Sequence, residues 1–151
     1  MNRLSRALVM ALLAGCGALG APSYATTWFT VSTNALGTNA IDRDSLKFDA
    51  SERGIQAWTR STLVTPSPYG DKRMAMMMTH YRVNCEARKY ATDSAAGYDP
   101  AGNMLFTVRN PTPMSDAIPD SVADVMVETL CEVRTLFDRD QKAALSGKST
   151  P

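Results

Sequence analysis

Along most of the chain hydrophobic and polar residues alternate with period two, the signature of strands buried on one side. Trp28-Phe29-Thr30-Val31-Ser32 reads as a short strand that gives way to a loop over residues 34–39. Residues 45–48 hold a single alternation. From 55 to 64 the pattern is clearer, with Ile55, Ala57, Thr59 and Leu63 pointing one way and Trp58, Thr62 and Val64 the other. Pro66-Ser67-Pro68-Tyr69-Gly70-Asp71 reads as a turn, because proline has no N–H to donate to a ladder. A long strand over 73–85 is expected to continue through a bend to Thr92. Asp99-Pro100-Ala101-Gly102-Asn103 is a second turn, leading into a strand over 104–109 with Met104, Phe106 and Val108 on one face.

The period then becomes helical. Ser121 can cap a helix, with Asp124 three residues on. Val122, Val125, Met126, Thr129, Val133 and Phe137 form one apolar stripe at i, i+3 and i+4 spacing. Cys131 lies just past the edge of that stripe, which places it at a sheet margin. The expected architecture is α+β: an antiparallel meander of about six strands packed against one C-terminal helix, with one disulfide. This domain spans residues 26–137, followed by a flexible tail over 138–151.

The first 25 residues belong to a different pattern. Arg3 and Arg6 precede an unbroken apolar run over 7–14, and small residues follow, as in an export signal. Leu13-Ala14-Gly15-Cys16 matches a bacterial lipobox, which would lipidate Cys16 and anchor the protein. Ser23-Tyr24-Ala25 is a second cleavage point that would release a soluble chain starting at Thr26. The apolar run is shorter than the roughly 20 residues a membrane span needs. Gly17 after the cysteine, in place of an inner-membrane retention aspartate, directs a lipoprotein to the outer membrane of a Gram-negative cell. The alternatives are thus an outer-membrane lipoprotein and a periplasmic or cell-surface protein.

Removing the leader resolves the cysteines. Of the three in 151 residues, Cys85 and Cys131 remain in the mature chain. In an oxidising envelope two such thiols most simply form one disulfide, with intermolecular pairing as the competing use. Closing that loop stabilises by about 4 kcal/mol in the chain-entropy model.

Charge excludes some partners. The net charge is +1, and −1 once Arg3 and Arg6 leave, so there is no electrostatic footprint for nucleic acid. The balance conceals local runs. Residues 71–89 carry Lys72, Arg73, Arg82, Arg88 and Lys89, while Asp120, Asp124, Glu128 and Glu132 form an acidic stripe at i+4 spacing. The stripe reads as a solvated face, or as a surface that meets the basic edge of a second protomer or another partner.

His80 is the single histidine, and no nucleophile elbow accompanies it, so no catalytic site is expected. The run Met74-Ala75-Met76-Met77-Met78-Thr79-His80 is unusual. On a strand Met76, Met78 and His80 share a face, two thioethers and an imidazole of the softness that suits Cu(I). Same-face neighbours sit roughly 7 Å apart, which spreads three ligands widely for one ion. Methionine also fills irregular cores and adaptable contact surfaces. No cofactor is expected.

Taken in order, several landmarks resemble the surface-adhesin E family of small bacterial envelope proteins. They are the opening strand with Trp28, Ile41-Asp42 with Ser45-Leu46, Ile55 through Trp58, and the strand ending Tyr81-Arg82-Val83-Asn84-Cys85. Tyr98-Asp99 with Gly102, Ile118-Pro119 with Ser121, and Cys131 complete the series over about residues 28–131. The resemblance implies an antiparallel sheet with one helix, a disulfide joining Cys85 to Cys131, and no enzymatic activity. The family name implies binding of host extracellular proteins. The Met-rich run and the extension beyond Cys131 depart from the pattern, and the matching residues are scaffold. The expected function is therefore a non-enzymatic exported envelope protein that binds a protein partner through its sheet, with a homodimer as one arrangement. Met76, Met78, His80 and Arg82 are the expected contact residues. The alternative is a periplasmic soft-metal or small-ligand binder using Met76, Met78 and His80.

Overall fold

The expected meander is present in the computed structural model, which describes residues 26–146; the leader and Cys16 lie outside the described residues. Strands β1 (Trp28–Thr33), β2 (Gly37–Asp42), β3 (Lys47–Phe48) and β4 (Gly54–Tyr69) come first. They are followed by β5 (Lys72–Asn84), β6 (Lys89–Tyr98), β7 (Met104–Arg109), β8 (Ser115–Asp116) and the helix α1 (Val122–Ser146). All pairings are antiparallel, in the order β1-β2-β4-β5-β6-β7, with β3 alongside β4 and β8 alongside β6. Six strands thus form the spine and two short ones extend it. No helix among the described residues is long and apolar enough to cross a membrane.

Three local expectations are corrected. The second half of the loop expected over 34–39 is strand: β2 starts at Gly37, whose missing side chain lets the backbone of β4 approach, since a Cβ there would fall 2.2 Å from the Thr62 carbonyl oxygen. The proline segment continues β4 past a bulge between Thr62 and Ser67, and the chain reverses at Gly70-Asp71. The expected bend after Cys85 is a full reversal, which places β6 beside β5.

The helix is also rotated from its expected stripe. Ser121 caps it as expected, its hydroxyl accepting from the Asp124 N–H at 3.2 Å. The residues it buries, however, are Met126, Val127, Leu130 and Arg134, while Val122 is 46% exposed. Two tethers set this rotation. Cys131 is bonded to Cys85 at the end of β5, with the Cα atoms 5.4 Å apart. One turn on, Arg134 is buried, its guanidinium donating to the Asp49 and Gly54 carbonyls and to Asp138 at 2.9 Å. Beside it Phe48 and Phe137 stack at 3.9 Å between ring centroids. The helix therefore presses Met126, Val127 and Leu130 onto Ile41, Ile55, Ala57 and Val83, which form the core. It continues to Ser146, with residues 139–143 exposed.

Candidate binding face

The pleat sorts β4 and β5 into two sets. Ile55, Ala57, Thr59, Thr79, Tyr81 and Val83 point to the helix side and are buried. Trp58, Arg60, Met76, Met78, His80 and Arg82 point to the other side, which no helix covers among the described residues. Met76, Met78, His80 and Arg82, singled out from the sequence, thus share one open face. Antiparallel register adds neighbours from both flanks: His80 faces Trp58 and Met78 faces Arg60 on β4, while Met76 faces Tyr98 and Met78 faces Ala96 on β6.

Aromatic groups organise this face. The His80 and Trp58 rings lie 5.2 Å apart, and the Arg60 guanidinium sits 4.5 Å over the Trp28 ring. A groove of about 300 Å³ runs among Trp28, Trp58, Met78, Ala96, Tyr98 and Met104. Met104 reaches it because a bulge in the β6–β7 pairing separates it from Phe106, which faces Gly97. The expectation that Met104, Phe106 and Val108 share a face is corrected by that bulge.

A polar cluster closes the edge. A second bulge, between His80 and Tyr81, leaves Asp93 unpaired and directs its carboxylate to the open face. Asp93 accepts from Arg82 Nε at 2.7 Å, and its other oxygen lies 3.3 Å from His80 Nδ1. One imidazole nitrogen is thereby engaged, and the arrangement fixes the ring against Trp58. Trp28, Arg60, Asp93 and Tyr98 are the members that sequence reasoning missed. Alternation placed Trp58 opposite Ile55, but which strands flank it is decided by pairing.

The charge runs have different fates. The basic run does not form a patch: Lys72 and Arg73 sit at the β4–β5 turn, Arg82 on the open face, and Arg88 and Lys89 at the opposite end. Arg88 Nη2 lies 3.8 Å from Asp124, so part of the acidic stripe meets a cation within its own chain. Glu128 and Glu132 are exposed and border an open groove of about 640 Å³ beside the disulfide, with Arg53, Arg88 and Leu136 on its walls. Among the described residues no three His, Cys, Asp or Glu side chains converge as a metal cluster.

The family model for surface-adhesin protein E matches residues 28–132. The chain belongs to that family. The match covers both faces of the sheet and the helix as far as the disulfide, and membership implies an exported cell-surface protein. Two solved structures are similar. One is crystal form II of Haemophilus influenzae protein E, at 12% identity and a TM-score of 0.49, covering 64% of this chain and 82% of that one. The other is a further structure of Haemophilus influenzae protein E, at 15% identity and a TM-score of 0.49, covering 71% and 85%. No curated protein is similar enough in sequence to count as a relative.

Proposed function

We propose that this adhesin-family protein is a non-enzymatic envelope protein that binds a protein partner, of the host extracellular class, through the open face of its sheet. One observation carries the reading: the face opposite the helix displays Trp28, Trp58, Tyr98, Arg60, Met78 and Met104 around a groove. Tyr, Trp, Arg and Met are the residues enriched at protein interfaces and at their energetic centres, and a groove lined by aromatic rings suits an anchoring side chain. The Asp93–Arg82–His80 cluster supports this role by holding polar groups at the groove's border. Cys16 is the proposed lipid anchor, holding the protein in the outer membrane, with release after Ala25 as the soluble alternative. Intact mass of the native protein separates these, since acylation and the cleavage site each leave a distinct mass.

The binding test uses the mature chain against immobilised extracellular-matrix proteins. Trp58→Ala and Arg60→Ala should each weaken capture at least tenfold while the helical circular-dichroism signal is kept. Capture that is indifferent to both substitutions would remove this face from the function. A tight Cu(I) site abolished by Met76→Leu with Met78→Leu, read by calorimetry, would favour the soft-metal alternative instead.

A further inference from the structure

The helix covers only part of the inner face of the sheet. Between its first turn and the β4–β5 hairpin, the ridge Met77-Thr79-Tyr81 on β5 has a cavity on each side. One, about 280 Å³, opens among Leu36, Thr62, Leu63 and Val122; the other, about 400 Å³, among Tyr90, Thr92, Ala95 and Thr112. Both are lined by all three ridge residues, so they are two ends of one groove crossing the sheet. Its size is that of a small-molecule site. Leu36 is 78% exposed and Val122 46%, which leaves an apolar rim at one mouth.

The polar groups of the groove decide what fits. Among the described residues no charged side chain lines either cavity. Most hydroxyls and amides there are committed to the protein: Asn39 to Ser32 and Ser61, Thr38 to Thr33, Thr112 to the Thr92 carbonyl. Among the buried residues of the lining, Thr79 and Tyr81 are the exceptions. Each is more than nine-tenths buried, and neither hydroxyl has a partner among the described residues. Neither is sealed away, because among the described residues no fully buried side-chain polar atom lacks a partner. Both hydroxyls therefore open into the groove from its floor.

We propose that this groove binds the acyl chain of an ester lipid, with the Tyr81 and Thr79 hydroxyls donating to the ester oxygens. The match is electrostatic as well as steric. An uncharged apolar wall accepts a neutral aliphatic chain and penalises a buried charge, so a fatty acid carboxylate fits less well than an ester. An extended peptide would bring a donor and an acceptor per residue to a floor that offers two free buried hydroxyls. Met77, an unbranched thioether at the centre of the ridge, adapts to a flexible chain. The site is separate from the open face and does not depend on its function.

The test is titration of the folded mature protein with monomeric palmitoyl-lysophosphatidylcholine, followed by NMR of 13C-methyl-methionine. A saturable shift of the Met77 methyl, with Met78 unmoved, is expected. Tyr81→Phe and Thr79→Val should each weaken binding about tenfold, the equivalent of one lost hydrogen bond. Thr79→Val keeps the shape of the strand and guards against a folding defect in the other variant. Palmitate at neutral pH should bind more weakly. A Met77 signal that does not saturate, or equal affinity in both variants, would overturn the proposal. So would preference for palmitate over the ester, or a lipid-independent Met77 shift with protein concentration, which would assign the groove to a second copy.

Discussion

The two faces of the sheet are built from the same strands by the same alternation, yet they use arginine in opposite ways. On the inner face Arg134 is 7% exposed, its charge satisfied by two backbone carbonyls and Asp138. It holds α1 against the start of β4 and is part of the fold. On the outer face Arg60 lies over Trp28 at a half-buried position, where its charge meets solvent and the aromatic face is free to bind. The difference shows where stability and recognition reside: packing and satisfied hydrogen bonds accumulate under the helix, and accessible aromatic and cationic groups accumulate on the side the helix leaves bare.

That contrast can be broken most forcefully at the disulfide. Replacing Cys131 with serine should lower the unfolding free energy by about 4 kcal/mol, read by denaturant titration, since it frees the chain between positions 46 apart. Leu130→Ala empties a fully buried core position and should cost about 3 kcal/mol in the same measurement. If either change left stability intact, the inner face would not be the stabilising one.

Alkaline pH sharpens the comparison on the inner side. Burial, with Tyr90 nearby as the lesser cause, pushes the Tyr81 phenol from 10.0 up to about 12. Below pH 10 the phenol is protonated in both folded and unfolded chains, so stability is unaffected there. Between about 10 and 12 the unfolded chain releases the proton and the folded chain keeps it, so stability falls by about 2 to 3 kcal/mol. Tyr81→Phe should lack this part of the alkaline loss in unfolding midpoints measured across that window.

Arg134→Ala removes the buried guanidinium that ties α1 to the Asp49 and Gly54 carbonyls and should cost about 2 kcal/mol. Its counterpart Arg60→Ala should cost less than about 1 kcal/mol, the scale of an exposed cation–π contact. A large stability loss at Arg60 would erase the division between the faces.

Much of the fold was legible because its signals are local. The alternation at 55–64 and the capping pair Ser121 and Asp124 depend on residues near in sequence, and each agrees with the structure. Strands β2 and β6 were not legible for a steric reason. They carry Gly37, Ala40, Ala91, Ala96 and Gly97, small residues chosen by what approaches them and not by hydrophobicity. A Cβ on Gly97 would fall 2.3 Å from the Phe106 ring, a neighbour that no local pattern announces. The helix rotation was hidden likewise, because an arginine at 134 reads as a solvent-facing residue until the carbonyls that receive it are in place.

By itself the sequence determined the α+β class, the placing of the helix after the strands, Cys85 and Cys131 as the two thiols most simply paired, and the common face of Met76, Met78, His80 and Arg82. Periodicity and cysteine count carry that information without knowledge of distant contacts. Tertiary structure alone decided which side chains join that face. Trp28, Asp93, Tyr98 and Met104 arrive from β1, β6 and β7 through register and two bulges, and a one-residue slip would send each to the other side of the sheet.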